Sequence, residues 1–127
     1  IVLVGLTKAQ IEKLPQNIIG IERTANTKEL AEIYTMADLF LNFSYCENYP
    51  TVNIEAMACG TPVLTYKTGG SPEIIEKYGG YIIEQGNLEK VVKCLKKIRG
   101  HFTKCEICKS ECDYKEVIQR YLGEYSK

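Results

Sequence analysis

Two glutamates, Glu47 and Glu55, stand with seven residues between them on either side of Pro50-Thr51-Val52, and the types and spacing of these residues suit the binding of a polyhydroxylated anion. Proline fits a first helical position, where its missing N–H would be unpaired anyway, so a helix opening at Pro50 leaves the amides of Thr51 and Val52 facing outward. Such a helix end favours an anion. The carboxylates, one before the helix and one on its second turn, accept hydrogen bonds from hydroxyl groups and can grip opposite ends of one ligand. A solvated surface is the default place for any glutamate, and that reading stays open for both.

These residues are positioned by what flanks them. Leu39, Phe40 and Leu41 form an apolar run suited to a buried strand, and residues 62–65 form another. Between them Val52, Ile54, Glu55, Met57 and Ala58 follow helical spacing up to Gly60. Ile54, Met57 and Ala58 are expected in the core, and Gly60-Thr61-Pro62 is expected to stop the helix and lead into the strand. In an open parallel sheet, a strand, loop, helix and strand in this order place the loop at the carboxyl end of the first strand, where ligands bind.

Ser44-x-x-Glu47, then Glu55-Ala56-Met57-Ala58-Cys59-Gly60-Thr61-Pro62-Val63, then Gly69-Gly70 and Glu73, resembles the donor-binding signature of retaining GT-B glycosyltransferases of the large group-one class. The resemblance implies a Rossmann-like donor domain and a nucleotide-diphospho-sugar substrate. It implies that Glu55 binds the ribose hydroxyls, that Glu47 holds the donor sugar as the catalytic residue, and that Ser44, Tyr49, Thr51, Val52 and Gly5 line the donor site. Many relatives have glycine where this sequence has Pro50, so the anion contact would rest on Thr51, Val52 and their neighbours. Neither cofactor nor metal is expected. The implied acceptor is a glycan or lipid-linked sugar, held by an N-terminal domain that this sequence does not include, and the implied setting is polysaccharide biosynthesis.

The same resemblance makes residues 1–127 one domain, the C-terminal part of a two-domain enzyme without that domain's first strand and helix. The loop after that unit supplies an Arg and a Lys to the diphosphate in relatives, so the chain alone is expected to be inactive. In the doubly wound order the absent strand would lie between the strands at residues 1–5 and 38–42. Those two strands should then either close onto each other or pair with another segment or a second copy of the chain. A dimer of the chain, and peripheral membrane association through the preceding part, are corollaries. The alternative from another class is a non-catalytic nucleotide or nucleotide-sugar binding module. A dinucleotide-binding domain is disfavoured, because no Gly-x-Gly-x-x-Gly follows a strand.

Composition agrees with an ordinary globular domain. Hydrophobic residues make up 45% of the 127, and 16 basic residues balance 16 acidic ones, so no global field draws nucleic acid. No leader or membrane span is recognisable, and a cytoplasmic protein is expected. Cys46, Cys59 and Cys94 are expected as small buried hydrophobes. His101, Cys105, Cys108 and Cys112 recur at about helical spacing and make a poor zinc site. Disulfides are not expected.

Strands are expected at about 1–5, 17–21, 38–42, 62–65 and 80–83, forming a doubly wound parallel sheet of about five strands. Helices are expected over residues 8–14, capped by Thr7, and after a cap at Thr27. Further helices are expected at residues 73–77, with Ser71 as cap and Pro72 at the first position, and at residues 87–98. A last one is marked by Tyr114, Val117, Ile118, Tyr121 and Leu122.

Overall fold

A computed structural model describes residues 1–101. Strands and helices alternate along them: β1 (Val2–Val4), α1 (Lys8–Ile11), β2 (Ile19–Ile21), α2 (Thr27–Met36), β3 (Phe40–Asn42), α3 (Thr51–Ala58), β4 (Val63–Tyr66), α4 (Ser71–Tyr78), β5 (Tyr81–Ile83) and α5 (Leu88–Ile98). All five expected strands form, and every pairing is parallel, as in a Rossmann-like α/β domain. The expected last helix, with Cys105, Cys108 and Cys112, lies outside the described residues. The chain divides into two compact units, Ile1–Ile33 and Tyr34–Lys127.

In the first unit β1 lies beside β2, with Val2 opposite Ile19 and Val4 opposite Ile21. Thr7 caps α1 as expected, and Gln10 completes a capping box by accepting from the Thr7 amide at 2.8 Å. The helix stops at Ile11, three residues short of the expected end, because Pro15 disfavours a helical Leu14. Leu14 and Ile11 fold over Gly20 of β2, where an added Cβ would come within 2.7 and 2.9 Å of their side chains. At the head of α2 the capping side chain is Asn26, not Thr27. Its Oδ1 accepts from the Glu29 amide at 3.0 Å, and the Glu29 carboxylate accepts in turn from the Ala25 amide at 2.6 Å. No residue among 1–33 is buried.

The second unit holds a three-stranded sheet in the order β3-β4-β5, with Phe40 opposite Val63 and Leu64 opposite Tyr81. β4 is its centre and is buried along its whole length. The alternation of a strand sends Leu64 and Tyr66 into a cluster with Ile83 and with Val91 of α5. Val63 and Thr65 face the other way, and the Thr65 hydroxyl donates to that of Ser71 at the start of α4. Leu39, Phe43, Tyr81, Cys94 and Leu95 pack around the cluster.

α3 ends in a Schellman motif: the Thr61 amide donates to the Ala56 carbonyl and the Gly60 amide to that of Met57, at 3.0 and 2.9 Å. Gly60 adopts φ +84°, which accounts for glycine at the stop read from the sequence. Met57 and Ala56 are fully buried, whereas Ala58 is exposed and Ile54 half-buried, so the inward face is narrower than expected. α4 begins at Ser71, with Gly70 in the cap position; Ser71 is thus the first helical residue and Pro72 the second. Asn87 caps α5 through the Lys90 amide at 3.0 Å.

The described strands pair as β1-β2 within the first unit and as β3-β4-β5 within the second. One further expectation is corrected. Cys46 is exposed, because it sits in the loop after β3, and Cys59 and Cys94 are half-buried at helix edges. Among the described residues no helix is long and apolar enough to cross a membrane, and no three His, Cys, Asp or Glu side chains gather to hold a metal ion.

Candidate functional site

The loop from β3 to α3 is short of secondary structure but closely held. The Ser44 amide donates to the Asn42 side-chain oxygen at 3.1 Å, and the Ser44 carbonyl accepts from the Thr68 hydroxyl at 3.2 Å. The Tyr45 carbonyl accepts from the Gln85 amide at 2.7 Å, and the Asn48 carbonyl from the Gly70 backbone at 2.6 Å. Tyr66 anchors the same loop by ring contacts with Phe43 and Tyr45, at centroid distances of 4.9 and 5.7 Å. Backbone groups that lack a ladder are thereby satisfied from β3, from the β4–α4 turn and from the end of β5.

Gly69 and Gly70 are where two loops touch. At Gly69, with φ +49°, an added Cβ would lie 2.6 Å from the carbonyl carbon of Glu47 and 2.9 Å from the Asn48 oxygen. At Gly70 it would lie 2.6 Å from the Tyr49 ring. The glycine pair therefore lets the β4–α4 turn press against the backbone of Glu47 to Tyr49 and fixes where Glu47 sits. The Glu47 side chain belongs to a half-buried residue, as does Ser44, while Tyr49 is exposed at the rim.

Pro50 is buried and occupies the cap position of α3 and not the expected first helical position, so the helix opens one residue later than expected. Thr51 and Val52 become the first two helical residues. Helix geometry gives their amides no acceptor within the helix, and both residues are exposed. Asn53 turns inward, is fully buried, and accepts at Oδ1 from the Asn42 side-chain amide at 3.0 Å. Among the described residues its own Nδ2 is buried without a partner.

Glu55 lies on the exposed side of α3, one turn further on. The Tyr34 phenol of α2 donates to its carboxylate at 3.4 Å. The Thr61 hydroxyl donates to the Tyr34 carbonyl, and the Tyr34 ring meets Phe40 edge-on at 5.3 Å. Burial, together with the charge of Glu55, pushes the phenol up to about 12, so it remains a donor across the physiological range.

Ser44, Glu47, Tyr49, Thr51, Val52 and Glu55 thus share one unit and one end of its sheet, the carboxyl end of β3 and the opening of α3. Gly5 belongs to the first unit, where it ends β1 with φ +90° and donates to the Ile21 carbonyl at 3.0 Å. Sequence reading did not find Tyr34, Asn42, Asn53, Thr68 or Gln85. The available signals were asparagines at the end of an apolar strand and inside an otherwise apolar helical stretch. Shallow depressions lie between Glu84 and Glu89 and around Arg23 and Asn26, and neither includes Glu47 or Glu55. Chemically, the site offers backbone donors for an anion and two carboxylates for hydroxyl groups, on a backbone that its neighbours hold in place.

Comparison with known proteins places this geometry. Over residues 6–101 the sequence matches the family described as "Glycosyl transferases group 1". It is 34% identical over 103 residues to a probable sucrose-phosphate synthase of Thermosipho melanesiensis, covering 76% of this chain and 23% of that protein. Similarity to the N-acetyl-alpha-D-glucosaminyl L-malate synthase of Bacillus anthracis is 42% over 59 residues, 46% of this chain and 16% of that one. Spore coat protein SA of Bacillus subtilis is 45% identical over 58 residues, 44% of this chain and 15% of its own. The chain spans less than a quarter of the length of each of these relatives. With the family matched over most of its length and the strand, loop and helix of the signature in place, the chain belongs to the group 1 glycosyl transferases.

Proposed function

We propose that this chain is the donor-binding part of a two-domain enzyme that transfers a sugar, with retention of configuration, from a nucleoside diphosphate to a glycan or lipid-linked acceptor. The observation that carries the reading is the loop of residues 43–50, held by hydrogen bonds to three of its own backbone carbonyls and one amide beside the exposed residues Thr51 and Val52. A loop fixed before the ligand arrives costs little ordering on binding. In this reading the helix amides meet the diphosphate, Glu55 accepts from the ribose hydroxyls, and Glu47 accepts from hydroxyls of the donor sugar near the reacting carbon. Tyr49 at the rim and Ser44 beneath the loop complete the donor surface. The sugar-conjugate names of two relatives, a sucrose-phosphate synthase and a glucosaminyl malate synthase, support sugar transfer as the class of reaction.

The two glutamates separate in a calorimetric test on the full-length protein, with UDP-, GDP- and ADP-sugars and the free diphosphates as titrants. Glu55→Ala should weaken both the preferred donor and its free diphosphate by about tenfold, the loss of one charged hydrogen-bond acceptor pair. Its melting temperature should fall only slightly, by the one hydrogen bond that the exposed Glu55 accepts from Tyr34. Glu47→Gln should leave the free diphosphate's affinity intact and slow transfer by about a hundredfold. Loss of free-diphosphate binding in the Glu47 variant would reverse the two assignments. Tight binding of a donor without turnover over a broad acceptor panel would favour a binding module over an enzyme.

A further inference from the structure

We infer that Asn42 and Asn53 form a buried amide relay that positions the loop of residues 43–50 against the first turn of α3, making both asparagines positioning residues for the ligand held there. The inference rests on the donor-site reading only for the ligand's identity.

The orientation of the relay is fixed by one group that cannot turn. The Ser44 backbone N–H is a donor, so the Asn42 atom facing it at 3.1 Å is the oxygen. Asn42 therefore presents its NH2 to Asn53, whose facing atom at 3.0 Å is again the oxygen. That leaves the Asn53 Nδ2 as the end of the chain, buried and without a partner among the described residues. Both side chains are enclosed, Asn53 fully and Asn42 at 9% exposure.

An apolar pair at these two places would pack β3 against α3 without desolvating two amides or leaving a donor unmet. As a device for stability the arrangement is poor. As a device for geometry it is specific, because hydrogen bonds fix distance and direction where apolar contact fixes neither. The three groups it links are the end of β3, the second residue of the loop that reaches Glu47, and the third helical residue of α3, beside the amides of Thr51 and Val52. The relay thus locks the carboxylate-bearing loop and the anion-facing helix end into one register.

Three variants of the full-length protein test this, read by amide hydrogen exchange at Ser44, by melting temperature, and by binding of the preferred nucleotide sugar and its free diphosphate. Asn53→Leu should change the melting temperature little, because it removes one unmet donor, the Asn53 Nδ2, and leaves another, the Asn42 Nδ2. It should nonetheless speed exchange at Ser44 and weaken the nucleotide sugar about tenfold, with a smaller effect on the free diphosphate. Asn42→Leu should do the same more strongly, because the Ser44 amide loses its acceptor. Asn42→Asp should restore both readouts to within about threefold of the parent. One Asp oxygen still accepts from Ser44, and a turned Asn53 amide donates to the other, using the idle Nδ2. Should Asn42→Leu fail to fold, the Asn53→Leu and Asn42→Asp pair decides alone.

The inference is overturned if Asn53→Leu leaves both Ser44 exchange and the ratio of the two affinities unchanged, or if Asn42→Asp behaves like Asn42→Leu. If the parent protein binds none of the nucleotide sugars, the donor-site reading fails by itself. Exchange at Ser44 then still decides whether the relay orders the loop.

Discussion

At the scale of single residues, Glu55 is held less by its own helix than by a phenol 21 positions earlier in the chain. Tyr34 touches Glu55 and fixes itself through its ring and its carbonyl, so removing only its hydroxyl isolates the contact. Tyr34→Phe should cost about 1 kcal/mol at neutral pH, the usual net value of such a bond. Its sharper signature is in alkali. The phenol titrates near 10 in an unfolded chain and is pushed up to about 12 here, chiefly by burial, so the folded state resists losing that proton. Tyr34 therefore contributes stability that is fully present below pH 10 and lost as pH rises toward 12. A melting curve taken at each pH step should fall more steeply over that window for the parent than for Tyr34→Phe. Parallel curves would show that the phenol feels neither its burial nor Glu55.

Glu47, Glu55 and the helix start were legible because their signal is local: spacing, a proline and an apolar period. Tyr34, Asn42, Asn53, Thr68 and Gln85 act across separations of 11 to 40 residues. Sequence periodicity placed Tyr34 among apolar residues, correctly for its ring and silently for its hydroxyl. Nothing in the local pattern says which carbonyl a distant side chain will reach.

At the scale of elements, the contact between the β4–α4 turn and the loop after β3 sets the site's shape. Gly69→Ala combines a left-handed backbone with a Cβ driven into the Glu47 backbone, and should destabilise by about 2 to 3 kcal/mol while weakening donor binding. Gly79→Ala is the control: its φ is +85°, but nothing lies within 4 Å of the added carbon. It should cost only the backbone penalty of φ +85° and ψ −177°, about 1 to 3 kcal/mol, and binding should be unchanged. Titrations distinguish the two, and equal losses of binding would mean that close approach is irrelevant at Gly69. Helix boundaries were readable to within a residue or two where a cap or glycine marks them, as at Thr7, Asn87 and Gly60. They slipped at Thr27 and Ser71, where the side chain that could cap is the neighbour of the residue in the cap position.

At the scale of the whole molecule, burial is unevenly shared. β4 is enclosed on both faces, whereas no residue before Tyr34 is buried, and Leu3, Val4 and Ile19 are 37%, 40% and 60% exposed. Local stability follows buried apolar contact, so hydrogen exchange in the 127-residue chain should be faster at the β1–β2 ladder than at β4, by about a hundredfold or more. Equal protection would require a source of stability in the first unit beyond its described contacts. The order of strands and helices was readable because each apolar run is bounded by glycine, proline or a cap. Which runs pair within each unit was not, since ladder partners depend on which edges meet in space and short apolar runs carry no record of that.

The seat of Glu47 on Gly69 also bears on how new specificities arise in this family. Two segments that lean on each other's backbone cannot drift or be transplanted one at a time: a foreign loop after β3 would arrive without the turn shaped to receive it. Chimeras that exchange residues 43–50 alone should fold poorly or bind nothing, while those that exchange 43–50 together with 67–70 should carry the donor preference of their source. Inheritance at this site would then proceed by pairs of loops, and a catalogue of either loop alone would misjudge which sugars a relative accepts.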